Sequence, residues 1–179
     1  CEGALGRFDE RFRRVRTFTA TLIQRVRIDL AATRGMLAAA EARHAPERRG
    51  KLLSSALASA RRLERERELT ASAPAHLVRA AVASVKGEDE IASRHLEAAI
   101  EVYEQAEMRG HAVVARRRLG QLLGGRRGAE MVEESDAWLR AEGVRHPGRF
   151  ARMLAPGFPD ETELGAEERT EGEPASPVL

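Results

Sequence analysis

Apolar residues recur along this chain at steps of three and four, and no run of alternating apolar and polar residues persists. The pattern predicts helices throughout and no strand. Phe8, Phe12 and Val15 open it, and Phe18, Leu22, Val26 and Leu30 continue at steps of four, joined by Ile23, Met36 and Leu37. This stretch reads as one long helix or two, with a break near Gly35. His44-Ala45-Pro46 ends it, because Pro46 disfavours helix at Ala45 while suiting the start of the next one. A second helix is expected from Glu47 to Leu69, with Leu52, Leu53, Ala56, Ala60 and Leu63 on its buried face and the run RRLERERE as its solvated end. Thr70, Ser72 and Pro74 mark the next boundary.

The following segments repeat a plan. A shorter helix over 75–85 stops at Gly87; Glu88, Asp89 and Glu90 then open another, where acidic residues favour the positive end of the helix dipole. Its apolar face is Ile91, Ala92, Leu96, Ala99, Val102, Tyr103 and Ala106, and Gly110 ends it. A short helix over 111–123 stops at Gly124-Gly125, and a second over 128–141 presents Met131, Val132, Ser135, Trp138 and Leu139 before Gly143. Gly110 and Gly143 are 33 residues apart, and Tyr103 and Trp138 are 35 apart. A period near 34, built of two antiparallel helices, is the mark of a helical solenoid. Residues 8–69 read as an earlier pair with longer helices. The expected fold is therefore all-α, with antiparallel hairpins stacked as a tetratricopeptide-like solenoid over residues 1–158.

Pro147, Pro156 and Pro159 break the pattern. Arg149 to Leu154 is expected to form a short helix whose Phe150, Met153 and Leu154, helped by Phe158, cap the last pair over about 147–158. From 159 to 179 the composition is that of an acidic disordered tail.

The segments LGQLLGG, SDAWLRAEGV and HPGRFARMLAPGF, over residues 111–158, resemble the carboxyl-terminal end of large bacterial signalling proteins of the myxobacterial type. Those proteins join a serine/threonine kinase domain, an ATPase module and tetratricopeptide-like repeats. The likeness is looser over 74–110 and generic before that. Leu119, Gly120 and Leu123 fall at the positions expected of a first repeat helix. Arg116 stands where an aromatic residue is expected, and the proline expected after the second helix is absent at that spacing. The resemblance implies a regulatory or scaffolding segment of a larger protein whose enzymatic domain lies elsewhere. The glycine-rich loop, strand lysine, HRD and DFG segments of a kinase are not in this sequence, so no enzyme activity is expected of the chain itself.

Composition sharpens this picture. Hydrophobic residues make up 42% and aromatics 4%; alanine, leucine and valine dominate, which suits close helix-on-helix packing. No window has enough apolar residues to cross a bilayer. Residues 1–70 carry 16 basic against 9 acidic residues, and residues 160–179 carry 1 against 7. A basic front and an acidic tail can attract each other or serve different partners. The single cysteine, Cys1, excludes an intrachain disulfide and fits a cytoplasmic location. A minor alternative is an envelope lipoprotein acylated at Cys1.

Candidate chemistry is sparse. GQLLGGRR, from Gly120 to Arg127, has the glycine spacing of a phosphate loop but lacks its lysine and its serine or threonine. It reads as a turn between helices. His44, His76, His95, His111 and His146 form no metal motif, with His95 expected to be packed beside Leu96. Tyr103 and Trp138 are expected in the core, and Glu133, Glu134 and Asp136 on the surface. No metal, cofactor or catalytic set is expected. The runs Arg11, Arg13, Arg14, Arg16 and Arg116, Arg117, Arg118, with Arg126 and Arg127, read first as solvated faces. The leading expectation is a non-catalytic surface for a protein or peptide, or for neighbouring domains of the parent, with Arg79, Arg94, Arg116, Arg117 and Arg118 as its polar positions. The alternatives are a purely structural packing segment and an Arg-rich nucleic-acid-binding domain. Nucleic acid is disfavoured, because no aromatic residues interleave the arginines.

Overall fold

The computed structural model describes residues 3–15, 24–66 and 68–159, excepting the side chains of 12–15 and 69. Among them are eight α-helices and no strand: α1 (Ala4–Val15), α2 (Gln24–His44), α3 (Arg49–Glu64), α4 (Leu69–Lys86), α5 (Asp89–Gln105), α6 (Arg109–Leu123), α7 (Gly125–Ala141) and α8 (Pro147–Leu154). A 3-10 turn over Pro46–Arg48 joins α2 to α3, with Pro46 in its first positions, as the sequence requires. Each helix from α2 to α7 packs on the next in sequence, and α2 also packs on α4. α2 and α4 thus form a layer backed by α3.

Small side chains build the core. Ala38, Ala39 and Ala42 of α2 and Ala73, Ala80 and Ala81 of α4 are buried in one cluster with Met36, Leu77 and Val78. Leu52, Leu53, Ala56, Ala60 and Leu63 form the buried face of α3, as their spacing predicts. α2 continues through Gly35 without a break. A β-carbon at Gly35 would lie 2.9 Å from Val78 Cγ2 and 3.0 Å from Ser59 Cβ, so this glycine serves close packing rather than helix termination. The buried edge of α2 runs through Ile28, Ala31 and Met36, leaving Val26 and Leu30 half-buried. Arg34 of α2 grips Asp9 of α1 through two hydrogen bonds, of 2.8 and 3.1 Å.

Several boundaries differ from expectation. α3 stops at Glu64, and α4 begins at Leu69, so Thr70, Ser72 and Pro74 lie inside α4. Pro74 falls in the second turn of a helix whose buried face outweighs the lost hydrogen bond. α6 and α7 are of similar length, 15 and 17 residues, rather than short and long. Gly128 lies within α7, where a β-carbon would collide with the Gly120 carbonyl oxygen. Gly120 and Gly128 thus let α6 and α7 touch backbone to backbone. Ile91 is exposed, and Trp138 is half-buried rather than in the core.

The short helix α8 forms over the expected stretch and packs on α6 and α7, with Phe150 and Leu154 set against the core. α8 buries Pro147 and Ala151 and leaves Met153 largely exposed. The chain then turns back: Ala155, Gly157 and Phe158 are buried, and Gly157 lies against the Ala39 and Ala81 side chains and the Ala40 backbone of the α2–α4 layer. Its φ of +93° suits glycine. The segment 155–159 is therefore a strap that extends from α8 across the inner helices. The lipoprotein alternative at Cys1, the acidic tail beyond 159, Phe18, Leu22, Ile23 and Arg16 lie outside the described residues, as do the side chains of Phe12, Arg13 and Arg14. Among the described residues no helix is long and apolar enough to cross a membrane.

Candidate interaction groove

The strap is held by its backbone. Arg43 Nη2 on α2 donates to the Gly157 carbonyl at 3.3 Å and to Ser84 Oγ of α4 at 3.1 Å. Arg118 on α6 donates from Nε to the Ala155 carbonyl at 3.1 Å and from Nη1 to the Pro159 carbonyl at 3.4 Å. A further bond to Gln121 Oε1, at 2.8 Å, orients the guanidinium, and the Phe158 ring lies under it at 5.6 Å. Two arginines thus recognise main-chain carbonyls, the part of a peptide that every sequence shares.

Beside the strap is a pocket of about 260 Å³ between α2, α4, α8 and the α5–α6 connection. Ile28, Met36, Leu77, Tyr103, Met108 and Leu154 supply its apolar wall, and Arg25 and Asp29 stand at its mouth. Burial pushes the Tyr103 hydroxyl far above its ordinary range, so the ring acts as a neutral wall, with His111 tilted against it at 5.2 Å.

The five arginines proposed from sequence do not converge on one surface. Arg79 of α4 pairs back to Glu64 of α3 at 2.7 Å, and Arg94 sits on the exposed face of α5, 4.0 Å from Glu90. Arg116 pairs with Glu104 of α5. Arg117 and Arg118 are 1% exposed, which overturns a solvated face for that run. Arg117 Nε reaches Asp136 Oδ1 of α7 at 2.6 Å, so Asp136 is a half-buried partner rather than a solvated surface carboxylate. Arg118 is the one of the five with a described hydrogen bond to the strap. Arg11 is exposed, as expected.

The histidines are not all isolated. His76 Nδ1 of α4 and His95 Nδ1 of α5 approach to 3.1 Å. Burial lowers the pKa of both; neighbouring Arg79 adds to this, and Glu64 opposes it. Glu64 itself is held below the ordinary carboxylate range by its hydrogen bond to Arg79. Among the described residues no three histidine, cysteine or acidic side chains come together as a metal would need. Neither Arg43, which is 114 residues from Gly157, nor the histidine contact leaves a local signal in sequence. Compared with known proteins, the chain matches no family model, no curated protein and no solved structure.

Proposed function

We propose that this chain is a non-catalytic protein-interaction segment, built as a tetratricopeptide-like stack of antiparallel helical hairpins, that takes an extended peptide along the face of α2, α4 and α6. The observation that carries the reading is the strap: residues 155–159 already lie on that face as a short peptide, gripped through their carbonyls by Arg43 and Arg118. Backbone contacts of this kind supply affinity, and side-chain pockets supply specificity. The 260 Å³ apolar pocket beside the strap is the specificity element. The resemblance of residues 111–158 to the ends of bacterial kinase and ATPase signalling proteins supports a regulatory segment of such a parent, and the reading carries a cytoplasmic location with it. The filled groove also favours a second reading, in which the segment only packs within its own parent.

Selection of a displayed random-peptide library against the full chain separates the two. The first reading expects enrichment of peptides with a bulky apolar residue, and loss of their binding on Leu37→Asp or Met153→Asp at the pocket wall. A library that yields nothing, or peptides indifferent to both substitutions, overturns it.

A further inference from the structure

The pocket beside the strap has more than an apolar wall. The chain contains four methionines, and three of them, Met36, Met108 and Met153, line it. Unbranched thioethers adapt their shape to a guest, and sulfur makes favourable contacts with aromatic rings. The Tyr103 ring lines the same space. An apolar cavity of about 150 Å³ accepts one benzene ring, so about 260 Å³ leaves room for a substituted or fused ring.

The wall also carries an unused polar group. Tyr103 is 3% exposed, and among the described residues nothing hydrogen-bonds to its hydroxyl. A buried hydroxyl without a partner costs free energy, and the pocket is the space from which a partner can come. Arg25 and Asp29, paired at 3.2 Å at the mouth, act on both Tyr103 and His111 with opposite sign. Burial disfavours the charged form of both rings. The polar end of the pocket is therefore close to neutral overall and suits an uncharged guest. We propose that this pocket binds a neutral phenol or indole ring, with the Tyr103 hydroxyl bonded to the polar atom on the ring's edge and the three methionines packed around the ring. A phenol oxygen accepts from the Tyr103 hydroxyl, and an indole N–H donates to it. In the peptide reading the ring is a tyrosine or tryptophan side chain of the bound segment, and the inference rests on that reading for the source of the ring alone. A phenylalanine or aliphatic side chain leaves the hydroxyl unsatisfied, so Tyr103 sets the specificity.

Free side-chain analogues test the site apart from any peptide. Para-cresol, skatole and toluene, which match the side chains of tyrosine, tryptophan and phenylalanine, are titrated into the full chain while NMR follows the methionine methyl groups. Met131 does not line the pocket and serves as the internal reference. The Met36, Met108 and Met153 signals are expected to shift while that of Met131 stays in place. The affinity ratio of para-cresol to toluene should fall about fivefold in Tyr103→Phe, the net worth of one hydrogen bond. That variant keeps the ring and removes a hydroxyl without a partner, so its Tm should not fall. A lower Tm means that the hydroxyl already serves the fold, and overturns the proposal. An unchanged ratio, or no methyl shift with any of the three, also overturns it. Peptides selected from the displayed library identify the source of the ring. Tyrosine or tryptophan at the anchor position, giving way to phenylalanine or leucine in selections on Tyr103→Phe, supports a peptide side chain. A library that yields nothing, with para-cresol still bound through Tyr103, upholds the ring site and sinks the peptide reading. Aliphatic anchors indifferent to Tyr103→Phe uphold the peptide reading and sink the ring site.

Discussion

α2 and α4 meet through small apolar side chains, whereas α6 meets α7 and the strap through buried guanidinium groups. At the first contact Ala38, Ala39, Ala80 and Ala81 are fully covered, and their size lets the helices approach until dispersion between close-packed atoms accounts for the cohesion. At the second, Arg117 is equally covered but carries a charge whose desolvation is offset only by good geometry with Asp136. Shape decides stability at one end and charge compensation at the other. Different substitutions should therefore break each end, and an identical response to both kinds would dissolve the distinction.

The largest effect is expected at the charged end. Asp136→Ala leaves the Arg117 guanidinium buried without its main counter-charge, and loss of one partner of a buried pair typically costs about 3–5 kcal/mol. Urea unfolding of the variant should show this loss at unchanged slope. Arg117→Met combined with Asp136→Leu should recover most of it, because a well-packed apolar pair removes the desolvation term as well. A single variant that costs less than about 1 kcal/mol would mean that the pair behaves as a surface salt bridge, and the contrast between the two ends would fail.

A steric probe sharpens the other side. Gly35→Ala places a methyl against Val78 Cγ2 and Ser59 Cβ at 2.9–3.0 Å. Overpacking of this kind costs about 1–3 kcal/mol, reduced by up to about 1 kcal/mol through the better helix propensity of alanine. Val78→Ala in the same chain opens the space again, so a double-mutant cycle should return a favourable coupling between the two sites. Additive effects would show that the α2–α4 contact relaxes freely, against the close packing described.

The helices and many of their ends were legible because Pro46, Gly87 and Gly143 punctuate a strong three-and-four spacing; Gly110, read as the end of α5, lies instead inside α6, and α5 closes at Ala106. The α3–α4 turn was not legible. Residues 65–68 offer no breaker, while Pro74 is a strong one that the buried face of α4 overrides. Gly35 likewise reads as a break, since close approach and chain reversal call for the same residue. The groove was less legible still. Arg116, Arg117 and Arg118 are alike in sequence, yet consecutive helical residues point about 100° apart, so three in a row on a helix flanked by neighbours cannot share one surface. That geometry separates Arg116, which reaches α5, from Arg117 and Arg118. The strap, Arg43 and the His76–His95 contact depend on tertiary neighbours that no local pattern announces.

The smallest expected effect follows pH and falls on the apolar side of the molecule. His76 and His95 meet at the α4–α5 contact with Arg79 and Arg94 nearby and Glu64 as the opposing charge, and His111 is half-buried against Tyr103. Burial is the first cause of the lowered pKa in all three. An unfolded histidine titrates near 6.5, so between that value and the lower folded one the unfolded chain binds more protons. Stability is then intact above about pH 6.5 and declines as pH falls toward 5. The two contacting rings are only half-buried, which keeps the decline modest. Arginine stays protonated across this window, so the histidines of α4, α5 and α6 are the groups expected to set the slope. Unfolding midpoints measured from pH 7.5 to 5 should fall less steeply in His95→Gln, and less steeply again with His111→Gln added. A slope unchanged by both would move the titration away from the α4–α5 contact. It would leave the apolar side, like the arginine end, insensitive to pH in this range.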